Sequence, residues 1–135
     1  MRRLLYISTA RNPITPSDLE SILRVSRRNN AAAGITGLLI AGGRRFLQAL
    51  EGPEDAVRAT FDRIRGDTRH FAAVVLADQA IGERSFPGWT MGFQPGALIG
   101  GGGEVATAVA ELVAPITDPT LRGYFTGFAE TQAAA

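Results

Sequence analysis

Gly34-Ile35-Thr36-Gly37-Leu38-Leu39-Ile40-Ala41-Gly42-Gly43-Arg44-Arg45-Phe46-Leu47-Gln48-Ala49-Leu50-Glu51 decides the fold. Gly34 to Ile40 is a nearly continuous apolar strand, and Ala41-Gly42-Gly43 turns it into a second strand as a hairpin. In the returning strand, alternation places Phe46, Gln48 and Leu50 on one face. That face reads as buried, and an amide there needs partners, because each unpaired polar group costs roughly 1–3 kcal/mol. The strand Arg3 to Ser8 offers Tyr6, whose phenol wants a partner of its own once covered. A planar ligand with a polar edge would satisfy both side chains.

Working outward, Thr15 reads as an N-cap with Pro16 at the first helical position. The helix that follows has Leu19, Ile22, Leu23 and Ser26 on one side, Arg24, Arg27 and Arg28 largely on another, and an end near Asn29-Asn30. A second helix opens at Pro53-Glu54, repeats Val57, Phe61 and Ile64, and closes at Gly66-Asp67. Phe71 to Leu76 reads as a fourth strand. Phe86 to Phe93 reads as a short fifth, with Trp89, Met91 and Phe93 on alternate positions and Pro87 suiting a first position or an edge. This order, βαββαββ, favours an α+β ferredoxin-like sandwich with two helices on one sheet face. Gly100 to Gly103 reads as a hinge. Val105, Val109, Leu112 and Val113, then Leu121, Tyr124, Phe125 and Phe128, suit two short C-terminal helices, broken around Pro115 and Pro119, that cover the other face. The division expected is 1–97 as the main domain and 98–135 as hinge and capping helices. No internal repeat is seen, and fraying is expected at Ala133 to Ala135.

Composition narrows the function classes. The chain has 135 residues and is 45% hydrophobic, enough for one domain. Fourteen basic and 13 acidic residues are dispersed, so neither nucleic acid nor an anionic membrane is expected as partner. The absence of cysteine excludes thiolate chemistry and disulfides. No apolar run approaches a membrane span and no signal-peptide core is seen, so a cytoplasmic protein is expected. A single histidine, His70, leaves little material for a multi-histidine metal site or a Ser-His-Asp triad, and no enzyme is expected.

Taken singly, the polar residues have ordinary readings. Tyr6 is a strand tyrosine, Gln48 an edge amide, and Asn29-Asn30 a helix cap. Arg63, Asp67 and Arg69 read as a solvated helix end, His70 as a surface histidine, and Trp89 and Met91 as core. Their joint order reads differently. Tyr6, Asn29-Asn30 before Gly34-Ile35-Thr36-Gly37-Leu38-Leu39, Phe46-Leu47-Gln48-Ala49-Leu50-Glu51-Gly52, Asp67-Thr68-Arg69-His70 and Trp89-Thr90-Met91-Gly92-Phe93 resemble the BLUF family of flavin-binding blue-light sensors, over roughly residues 1–95. Ala49, where a bulkier residue is usual, and the small Gly42-Gly43 turn are mild departures.

The resemblance implies a flavin between the two helices, FAD in the first place with FMN as the alternative. Tyr6 and Gln48 would lie beside its N5 and C4 carbonyl, and Asn30, placed just past helix one, at the C4 carbonyl edge. Asn29 would face the ribityl and phosphate side, with Arg63, Asp67, Arg69 and His70 around the pyrimidine or phosphate end. Ile22 and Ile64 would clamp the ring faces, with Ser26 nearby. In such proteins the excited flavin draws an electron and then a proton from the tyrosine, and the glutamine is left rearranged. Trp89 and Met91 would relay that change to strand five and the C-terminal helices, and so to an unidentified protein partner or a further copy in a homo-oligomer. Two other readings stay open: an enzyme using His70 or Tyr6 as acid or base, and a ligand-free interaction module.

Overall fold

The computed structural model describes residues 1–12, 14–42, 44–87, 89, 92–99 and 103–134, with 92–99, 103–106 and 132–134 described by their backbone alone. Thr15 caps α1 (Pro16–Ala33) reciprocally: its hydroxyl accepts the Asp18 N–H at 3.1 Å, and the Asp18 carboxylate accepts the Thr15 N–H at 3.0 Å. The helix runs past the end expected at Asn29-Asn30. Ala31, Ala32 and Ala33 are strong helix formers, and it is Gly34, at φ 72°, that supplies the left-handed residue which stops it.

β1 (Arg2–Ala10), β2 (Thr36–Gly42), β3 (Arg45–Gly52), β4 (His70–Ala80) and β5 (Gly92–Ile99) form one sheet in the order β4-β1-β3-β2-β5. The β2/β3 hairpin pairs Leu39 with Gln48, and β1 lies antiparallel between β3 and β4. This is the ferredoxin-like arrangement, extended by β5 pairing parallel to β2.

Along β1 the pleat sends Leu4 and Tyr6 to one face and Leu5 and Ile7 to the other. The first face is covered by α1 and α2 (Glu54–Arg65), whose Leu19, Leu23, Val57 and Phe61 are buried against Leu39, Phe46 and Leu50. The second is covered as expected by α3 (Gly103–Val113) and α4 (Pro119–Ala134). Val109, Val113, Leu121, Phe125 and Phe128 meet Leu5, Leu38, Ile40 and Leu47 there. Ile116, between the helices, joins this core, whereas Tyr124, expected on the covered stripe, is 37% exposed. Of the proposed hinge, residues 100–102 lie outside the described residues, and Gly103 already belongs to α3.

β4 is longer than its Phe71–Leu76 core, and β5 starts later than expected. Phe86 and Pro87 sit in a turn because the Glu51 carboxylate takes the backbone N–H groups of Ser85 and Phe86, while Pro87 has none to give. The Trp89 N–H closes that turn on the Phe86 carbonyl at 3.2 Å. Inside β5, Pro95 stands where the β2 register shifts, on an edge strand that tolerates a missing donor.

Candidate functional site

Tyr6 and Gln48 face each other across the central β1/β3 ladder, each 3% exposed, and the Tyr6 hydroxyl donates to Gln48 Oε1. The buried amide of the sequence thus finds its phenol. With its carbonyl end engaged by Tyr6, the amide turns its NH2 end, a pure donor, elsewhere. The Tyr6 ring is held by Phe61 of α2, with centroids 5.1 Å apart and planes at 56°. Burial, helped by the negative charge of Asp67, pushes the phenol well above its ordinary value of 10.0. Because the folded state holds this proton more tightly than the unfolded chain, Tyr6 is neutral to stability below that value and lowers it as pH climbs beyond. An ultraviolet titration should show Tyr6 still un-ionised at about pH 11, above the ordinary phenol value.

Over this pair, between α1 and α2, opens a cleft of about 190 Å³. Its floor is Tyr6, Gln48 and Asn30; α1 adds Ile22, Ser26 and Asn29; α2 adds Arg63 and Ile64; and the α2–β4 turn adds Asp67, Arg69 and His70. All the residues singled out for ligand contact therefore line one cleft. Asn29 and Asn30 do so from within the C-terminal part of α1, so Asn30 is not just past the helix as expected. Ser8, Val25, Leu39, Phe46 and Thr60 also line it and were missed. The sequence held their signals: Ser8 and Phe46 lie two positions from Tyr6 and Gln48 on the same strand faces, Thr60 precedes Ile64 by four, and Leu39 pairs with Gln48.

At the rim, Arg69 grips Asp67 through its backbone N–H at 2.9 Å and its guanidinium at 2.5 Å. That guanidinium holds the Asp67 carboxyl below the usual carboxylate range. His70 Nε2 lies 2.6 Å from the Ile64 carbonyl and must carry the proton there, since a carbonyl only accepts. In the neutral ring its Nδ1 is then the accepting nitrogen, and it is buried and without a partner. An orphaned acceptor in the wall of such a cleft is what a hydroxyl- or imide-bearing ligand would satisfy. Apolar side chains on two helices, a polar floor and this acceptor fit a flat heterocycle with a hydrogen-bonding edge.

Trp89 is not part of the cleft. It stacks on Phe86 at 5.9 Å and packs with the core beneath α3 and α4, so the structure does not bring it to Gln48. Met91 lies outside the described residues. No group of potential metal ligands occurs among the described residues, and none of their helices is long and apolar enough to cross a membrane.

The subunit beta of a photoactivated adenylate cyclase from Euglena longa is 42% identical over 89 residues, 65% of this chain and 10% of that protein. The chain thus spans about a tenth of the length of the first curated relatives it matches. Among solved structures, the dark state of BlrB, a BLUF protein, superposes with TM-score 0.72 at 29% identity, covering 98% of this chain and 95% of the other. Klebsiella pneumoniae BlrP1 with FMN and cyclic diGMP superposes with TM-score 0.76 at 26% identity, covering 98% of this chain and 34% of that one. The family model described as sensors of blue light using FAD matches residues 1–92. The chain therefore belongs to the BLUF family of flavin-dependent blue-light sensors.

Proposed function

We propose that this protein holds FAD in the α1/α2 cleft and uses the Tyr6–Gln48 pair as its light switch. The hydrogen bond from a buried phenol to a buried amide, on the floor of a cleft shaped for a flat ring, is the observation that carries the reading. The bound flavin would supply an oxidant that exists only under illumination. Tyr6 is suited to yield a proton only when driven, since its burial opposes ionisation in the dark. Gln48 answers with a neutral carboxamide that exchanges donor for acceptor by turning over, so two hydrogen-bond patterns fit the same backbone. Asn30, 2% exposed, would fix the polar edge of the ring beside them. Arg63 and Arg69 at the open rim would meet the phosphates, and His70 Nδ1 would accept from the ligand.

Residues 1–97 are read as the sensor and 98–135 as its output device, although β5 crosses that boundary to reach Ile99. The output is proposed to be contact with a protein partner, since photosensors of this family occur in relatives named as cyclase subunits and as an antirepressor. Association with further copies is supported by the edge strand β4, which exposes Phe71, Val74 and Val75. Purified protein is expected to be yellow, with an absorption band that moves reversibly to the red under blue light. Chromatography of the released chromophore should give FAD. A colourless protein, or a band indifferent to light, would sink the proposal, and FMN as the released species would correct the cofactor alone.

A further inference from the structure

The β1/β3 ladder carries a second polar rung. Arg3 lies opposite Glu51, three positions along from Tyr6 opposite Gln48, and the odd spacing puts the two pairs on opposite faces of the sheet. Tyr6 and Gln48 face the cleft, whereas Arg3 and Glu51 face α3 and α4. Both charged residues are buried, Arg3 at 5% and Glu51 at 0% exposure. The Glu51 carboxylate accepts the Arg3 guanidinium at 3.3 Å and the N–H groups of Ser85 and Phe86 at 2.9 and 3.0 Å. The same guanidinium donates to the Ser85 hydroxyl at 3.0 Å and to Asp118 Oδ2 at 2.6 Å. Asp118 is the N-cap of α4: its Oδ1 accepts the N–H groups of Thr120 and Leu121 at 2.9 and 3.2 Å.

We propose that Arg3 is the joint through which the sensing ladder controls α4. Resting on the switch proposed above, this names the residues that carry its signal across the sheet. One guanidinium spans the end of β3, the turn before β5 and the cap of α4, and the short bond to Asp118 has little slack. Buried ion pairs are poor sources of stability against apolar replacements but good devices for fixing one geometry. When the hydrogen bonds of the Tyr6–Gln48 rung change, the two strands adjust along the ladder they share. Glu51 and Arg3 move with them, and the Asp118 carboxylate is either held or released. The joint thus has two discrete arrangements, and its release leaves the first turn of α4 less securely capped.

The test is amide hydrogen exchange of the full flavin-loaded chain, dark and illuminated, read at Thr120 and Leu121, with absorption recorded alongside. The unchanged protein is expected to show a several-fold change in exchange at these amides on illumination. Asp118→Asn keeps a capping side chain but weakens the hold of Arg3, so dark protection and the flavin red shift should persist while the light-dependent change is lost. Arg3→Met should lose it as well. A purely structural role predicts faster exchange in both states with the light difference intact, and that result overturns the proposal. So does a normal red shift in the unchanged protein with no exchange difference at α4. Absence of the red shift itself defeats the switch reading, and the joint with it. Should Arg3→Met fail to fold, Asp118→Asn decides alone.

Discussion

Tyr6→Phe is expected to abolish the light response while leaving the cleft filled. The substitution removes one oxygen and keeps the ring that packs on Phe61 at 5.1 Å, so the floor of the cleft survives. The donor to Gln48 Oε1 and the phenolic proton at that point of the floor are lost. Removing one partner of a buried hydrogen bond costs on the order of 1–3 kcal/mol, which the fold should tolerate. Gln48→Leu approaches the same switch from the other side, since an aliphatic side chain fills a similar space with one pattern only. Both variants should purify with flavin and show no red-shifted state in dark-minus-lit spectra. A normal, reversible shift in both would mean that neither side chain takes part in the switch.

Phe125→Ala should produce the largest loss of stability with the least effect on the chromophore. Phe125 is fully buried and meets Phe86 edge-on at 6.1 Å in the core beneath α3 and α4, on the sheet face away from the cleft. Truncating such a side chain typically costs about 3–5 kcal/mol, a large share of the total stability of a domain. The thermal midpoint should fall on the order of 10 °C or more. Flavin content at low temperature should stay near normal, because none of the cleft residues belongs to this core. Equal loss of flavin and midpoint would mean that the two faces are not separable in this way.

The sandwich was legible because it follows from local periodicity, whereas most residues of the cleft were singled out by the resemblance to the BLUF family and not by their spacing. Alternation alone placed Gln48 inward, and the Thr15-Pro16 start of α1 is a local signal confirmed atom for atom. The end of α1 misled because Asn29-Asn30 can either close a helix or continue it. The alanines that follow, and the left-handed Gly34, settle it only when weighed together. β5 misled for a different reason. The alternation Trp89, Met91, Phe93 extends the strand reading back toward Phe86, but the turn at Phe86 and Pro87 is set by Glu51, which is distant in sequence. No window along the chain reports such a partner. The joint at Arg3 is hidden likewise: charges at strand ends ordinarily mean solvent, and only the three-dimensional arrangement buries these.

The position of β1 between β3 and β4 shapes how this molecule comes into being. Its two neighbours, β3 and β4, both follow it along the chain, and β4 ends only at Ala80. During synthesis β1 must therefore wait, one edge unpaired, until β4 has emerged about sixty residues later. Pairings between such distant segments are slow to close, because chain entropy is lost before the contacts that reward it form. Chromophore capture is thus a late event in biogenesis, and a nascent chain halted before β4 should be unable to see.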